Sequence, residues 1–101
     1  MDVLPLHHDD QTYSYAQLER AGVWALFCQQ HKVSGVQRFE VVRIRIRAAH
    51  TWPNGTHTPE HEAYPSSASW GRDGYTHHAL PEAQAHFHQL LSQEGHEDGG
   101  D

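Results

Sequence analysis

The residue pattern predicts an α+β fold: a small antiparallel sheet of three to four strands, with a short N-terminal helix and a C-terminal helix. Three observations carry that prediction. Val42, Ile44, Ile46 and Ala48 alternate with Arg43, Arg45 and Arg47, the period-two signature of a half-buried strand. Asn54-Gly55 is the strongest short-range signal for a hairpin. Ala83, Phe87, Leu90 and Leu91 form an apolar helical stripe behind Pro81, a residue suited to a helix's first turn.

Each element follows in chain order. Residues 1–12, with His7-His8-Asp9-Asp10, read as an irregular lead-in. Ser14 is placed to cap a short helix through Arg20, with Tyr15, Leu18 and Ala21 as its apolar side and Gly22 as its stop. Val23 to Gln29 is apolar at nearly every position, which suggests a strand covered on both faces, although periodicity leaves a helical continuation open. In strand form Trp24, Leu26 and Cys28 point one way, and Val23, Ala25 and Phe27 the other. His31 to Gly35 forms a loop, so the next strand returns as a hairpin partner.

That next strand runs from Phe39 to Ala48. Phe39 and Val41 fall on its arginine side, so either a bulge shifts the phase or that half of the face is also covered. With Asn54 and Gly55 at the centre of a two-residue turn, Arg47 faces Glu62 and Arg45 faces Tyr64. Pro59 interrupts the pairing, because it lacks a donor. Trp70-Gly71-Arg72-Asp73-Gly74 reads as a tight turn into a short strand, Tyr75 to His77. One α+β domain is expected over residues 13–92, and a disordered acidic tail over 93–101.

Composition bounds the function. The chain has 101 residues, 37% of them hydrophobic, and its mean hydropathy is −0.78, so one modest core carries the fold. No apolar run approaches the roughly 20 residues of a membrane span. The N-terminal residues lack the basic and apolar regions of a secretory signal, and a cytoplasmic protein is expected. The single cysteine, Cys28, lies in an apolar run and suits a packed thiol. The net charge is −6, but seven of the 13 acidic residues lie in the two ends, at positions 2–10 and 94–101. The body between Gln11 and Gln93 is near neutral, and nucleic acid is not excluded by charge.

Trp70-Gly71-Arg72, then Gly74, a short strand and a helix patterned Ala83-x-x-x-Phe87, together resemble the WGR domain over Phe39 to Leu91. That family, found in poly(ADP-ribose) polymerases and several bacterial proteins, has a small antiparallel sheet with a helix and contacts DNA near strand ends. The resemblance implies that Trp70 packs against nucleic acid and that Arg72 meets a phosphate. Asp73, where the family is usually apolar, and the long Thr51 to Thr58 excursion depart from the pattern. The stretch Phe39 to Ile44, with Glu62 to Ser67 and Trp70-Gly71, also resembles small uncharacterised proteins of phages and bacterial mobile elements, which implies no activity.

Three groups of residues are candidates for function. Arg43, Arg45 and Arg47 share a strand face at about 6.6 Å spacing, near that of successive phosphates. The expected register sets Glu62 and Glu60 beside them, so the same row also reads as an ion-paired, solvated sheet face. Trp70 and Arg72 are the second group, with the alternative that Trp70 closes one end of the core. Among 11 histidines, His50, His57 and His61 project from one face of the expected hairpin. His57 and His61 stand about 13 Å apart along a strand, so a divalent metal needs a bend at Pro59. No catalytic motif is present, and no cofactor is implied beyond such a metal. The leading expectation is a non-enzymatic module engaging nucleic acid or a nucleic-acid-processing protein through Arg43, Arg45, Arg47, Trp70 and Arg72. A protein–protein adaptor or inhibitor acting through the acidic tails is one rival. A histidine-dependent metal-binding protein is the other.

Overall fold

Backbone geometry organises the chain around a five-stranded antiparallel sheet with one C-terminal helix. The computed structural model describes residues 2–99, and side chains through residue 93. In chain order the strands are β1 (His7–Asp9), β2 (Tyr13–Ala21), β3 (Trp24–His31), β4 (Gln37–Arg43), β5 (Arg45–Arg47), β6 (His50–Thr51), β7 (His57–Thr58), β8 (His61–Ala63) and β9 (Gly74–His77). A 3-10 turn, Ser67–Ser69, precedes β9, and α1 spans Leu80–Gly99. The main sheet has the order β1-β2-β3-β4-β9, while β5-β8 and β6-β7 form two separate two-stranded ladders. The backbone of α1 continues through part of the stretch assigned to the acidic tail. The remainder of that tail lies outside the described residues.

The expected N-terminal helix is instead β2. It pairs with β3 from Tyr13↔His31 to Ala21↔Trp24, with one bulge between Gln17 and Glu19. Pairing to an almost wholly buried strand outweighs the helical spacing of Tyr15, Leu18 and Ala21, because strand preference depends on what the neighbouring strand offers. Gly22 does not stop a helix. With φ of 61° it opens the two-residue turn joining β2 to β3, the position where a type II′ turn requires glycine.

The central strand β3 is covered on both faces, as its unbroken apolar run implies. Trp24, Leu26 and Val41 pack beneath Ala83 and Phe87 of α1. On the opposite face Ala25, Phe27, Val42 and Ile44 form a second cluster with Leu4, and Tyr15, Tyr64 and Trp70 close over it. Phe39 and Val41 lie on the helix-covered side, so no bulge is needed to explain their phase. Burying a side chain the size of Phe27 contributes about 1.5–3 kcal/mol, which makes this double-sided strand the main source of stability.

The long expected strand, Phe39 to Ala48, breaks at Ile44. The Ile44 amide donates to the Val23 carbonyl at 2.6 Å and Arg43 to the Asp73 carbonyl at 2.7 Å, after which the chain leaves the main sheet. Ile46 beyond the break is 57% exposed, so the apolar alternation there does not report burial.

Candidate functional site

The break at Ile44 decides where the arginines go. Arg43 remains with the main sheet, its guanidinium 5.6 Å from the centre of the Trp24 ring. Arg45 and Arg47 pass into β5, which pairs with β8 in the register Arg45↔Ala63, Ile46↔Glu62, Arg47↔His61. This register differs by one residue from the expected one. The cause is the turn. Trp52 donates to the Thr56 carbonyl at 2.8 Å, and Gly55 donates to the Trp52 carbonyl at 2.9 Å, enclosing three residues rather than two. Gly55 takes φ of 89°, as the last residue of such a loop requires.

A one-residue shift transfers every side chain of a strand to its other face. Glu62, expected opposite Arg47, therefore points away and is gripped by Arg20 through two bonds of 2.7 Å each. The Leu4 amide adds a third at 2.9 Å. Chiefly through the Arg20 bond, the Glu62 carboxyl drops from 4.5 to about 2. The arginines of β5 are left without the acid that was to neutralise them.

Opposite β5 stands the segment after Pro65. Ser69 and Trp70 donate to the Ser66 and Ser67 carbonyls at 3.0 and 3.1 Å, and Arg72 donates to Ser69 at 3.1 Å. Gly71, at φ of 91°, permits the reversal that brings Arg72 round toward β5. Between the two walls lies a pocket of about 270 Å³ lined by Arg45, Ile46, Arg47, Ser66, Ala68, Ser69 and Arg72. Asp73, 5% exposed, accepts Arg45 at 2.5 Å and Arg72 at 3.5 Å, fixing both guanidinium groups from below. The Arg47 side chain has no hydrogen-bond or ion-pair partner among the described residues. Three guanidinium groups against one carboxylate leave two positive charges uncompensated, beside two serine hydroxyls. Such a pocket can hold a phosphate or another compact oxyanion.

Three of the five arginine and tryptophan candidates thus meet. Trp70 lies on the far side of the same segment, its Nε1 donating to Thr76 at 3.0 Å. There it lines a second pocket of about 310 Å³ with Tyr15, Glu40, Tyr64, Pro65 and Ser67. Neither Glu40 nor Tyr64 is a candidate site residue from the sequence pattern alone. A usable signal existed, since Glu40 shares the inward phase of Val42 on its strand.

The histidine trio is dispersed by the same register. His50 pairs across from Thr58 and packs edge-on against Trp52, whereas His57 pairs across from Thr51 and meets its hydroxyl at 3.0 Å. His61 turns its Nδ1 to the Pro59 carbonyl at 3.0 Å. No group of three or more potential metal ligands converges among the described residues. Burial pushes the Cys28 thiol up, which disfavours the reactive thiolate. No described helix is long and apolar enough to cross a membrane. No family model, no curated protein and no solved structure matches the chain.

Proposed function

We propose that this protein is a non-enzymatic binding module that takes the phosphate backbone of a nucleic acid into the pocket between β5 and the Ser66 to Arg72 segment. One observation carries the reading: Arg45, Arg47 and Arg72 converge on one open cavity from which Glu62 is turned away. Arg45 and Arg72 are held by Asp73, and Arg47 supplies a contact that no described acid engages. Phosphate contacts of this kind are independent of base sequence and weaken with salt, because binding releases condensed counterions. The acidic residues near both chain ends repel the same ligand, and salt screens that repulsion as well, so they make the salt dependence shallower than the pocket's arginines alone would give.

Fluorescence anisotropy with nicked and single-stranded DNA at two salt concentrations tests this. Binding is expected at the lower salt, falling steeply at the higher. Arg47→Ala is the informative variant, because its side chain supports nothing else in the fold. It should weaken all sequences alike and reduce the salt slope by about 0.7–0.9, the value for one phosphate contact. Absence of binding at low salt, or an Arg47→Ala protein that binds as well as the parent, overturns the proposal.

A further inference from the structure

The second pocket, behind the 3-10 turn, combines a buried carboxylate with aromatic walls. Its floor carries Glu40, 6% exposed, on the face where β4 packs under aromatic rings. The carboxylate accepts the Tyr64 hydroxyl on Oε1 at 2.5 Å and the Thr76 hydroxyl on Oε2 at 3.3 Å. Trp70 Nε1 donates in turn to Thr76. Among the described residues no lysine or arginine forms an ion pair with Glu40, and burial pushes its carboxyl above the ordinary value against the Tyr64 and Thr76 hydroxyls and the nearby Arg38, which favour the charge. A buried carboxylate with no positive partner is costly to the fold.

Its walls are the complement of that charge. Tyr64 stands between the other rings, 5.6 Å from Tyr15 at an angle of 56° and 6.4 Å from Trp70 at 26°. Because the Tyr64 hydroxyl and the Trp70 N–H both point into the Glu40 network, the polar edges of these rings are occupied. One face of Tyr15 is stacked on His8 at 4.6 Å and one face of Trp70 lies over Gly74, so the opposite faces are the ones left to a ligand. Aromatic faces attract cations, most strongly when the cation is weakly hydrated and leaves water at little cost. A carboxylate behind such faces adds direct charge attraction in a low-dielectric setting.

We propose that the pocket lined by Tyr15, Glu40, Tyr64 and Trp70 binds an alkylated ammonium head group, with the aromatic rings facing its methyl groups and Glu40 balancing its charge. A bare alkali ion gains nothing from the methyl-sized aromatic surfaces and must shed its water for a few hydroxyls already engaged in hydrogen bonds. A neutral group of the same shape would leave Glu40 uncompensated. The site is separate from the arginine pocket and takes a ligand of opposite sign.

Titrating the protein with choline while following the Trp70 indole N–H in a 1H–15N spectrum tests this. Trp70 is assigned by comparison with Trp70→Phe, and sodium chloride at equal ionic strength is the control. The matched competitor is 3,3-dimethylbutan-1-ol, in which carbon replaces the quaternary nitrogen. Choline should move the Trp70 signal saturably, with at least about tenfold tighter binding than the alcohol, the size of one desolvated cation–π contact. Glu40→Gln should weaken choline by a similar factor, and Arg47→Ala should leave it unchanged. A trimethyl-lysine amide run alongside separates a free amine from a methylated side chain, the tighter ligand naming the source. Equal effects of choline and the alcohol, or an unmoved Trp70 signal up to about 50 mM, a concentration that exceeds even millimolar dissociation constants, overturn the proposal. That comparison uses the unaltered chain, so it decides even if Glu40→Gln fails to fold.

Discussion

Gly74 lies directly under the Trp70 indole, where an added Cβ would coincide with atoms of the six-membered ring. The ring is held there by its bond to Thr76 and by contact with the cluster around Val42. Gly74→Ala should therefore destabilise the protein by about 1–3 kcal/mol, as overpacking typically does. Urea denaturation followed by tryptophan fluorescence measures it. In a Trp70→Ala background the same substitution should cost much less, because the clash has no partner left; additive costs would refute the contact. Residues Trp70 and Gly74 were visible in the sequence as a turn motif, but their stacking was not. Glu40 makes the same point more sharply. Alternation already sets it in phase with Val42 and Ile44, yet its donors Tyr64 and Thr76 lie 24 and 36 residues away. A local pattern can report that a carboxylate faces inward. It carries no trace of what meets it.

At the level of elements, a single turn length decided more than any residue type. Asn54-Gly55 marked a hairpin correctly, but two- and three-residue loops share that dipeptide, and they differ by one step of register. The three-residue loop turned Glu62 toward Arg20 and left the β5 arginines to face the Ser66 to Arg72 segment. The helix expected before Gly22 failed for a related reason, since glycine with positive φ ends a helix and opens a hairpin equally well. Strand β3, the glycine-ended loop after it, β9 and α1 were legible because each rests on a long apolar pattern or a specific turn residue. The β6-β7 hairpin, by contrast, is exposed at nearly every position and holds no core residue. Gly55→Val forces a branched side chain into φ of 89°, a local strain of about 1–3 kcal/mol. The expected outcome is faster amide exchange at Trp52, whose N–H bonds across the loop to Thr56. The global denaturation midpoint should barely move, since local opening need not engage the main sheet. A midpoint shift as large as that of a core substitution would show that the hairpin belongs to the cooperative unit.

For the molecule as a whole, Glu62 ties three parts of the chain together. The main sheet contributes Arg20 from β2, the small ladder contributes Glu62 from β8, and the N-terminal segment contributes the Leu4 amide. Backbone bonds from Glu62 N–H to the Asp2 carbonyl at 2.8 Å and from Asp2 N–H to Glu60 at 3.4 Å extend the seam. Leu4 then enters the core cluster against which Tyr64 and Trp70 pack. This arrangement has a pH signature. The Glu62 carboxyl lies at about 2 in the folded protein, against 4.5 ordinarily, with the Arg20 bond the largest cause. The folded state therefore binds fewer protons than the unfolded state wherever the pH lies between those values. The stabilisation from Glu62 is complete above 4.5 and is lost progressively as the pH falls toward about 2. Asp10, held low by two backbone donors, contributes in the same direction, and Glu40, pushed up by burial, in the opposite one. Comparison with Glu62→Gln isolates the single group, because glutamine keeps the shape and an acceptor oxygen but has no proton to exchange. Urea midpoints measured from about pH 7 down to about pH 2 should show the variant less stable at neutral pH. Its pH dependence should be shallower, and the two curves should converge at the acid end, as linkage requires. Parallel curves across that range would mean that Glu62 is not held by Arg20 in solution. The Ile46↔Glu62 register would still turn that carboxylate away from Arg45 and Arg47, so the seam and the phosphate site are tested separately.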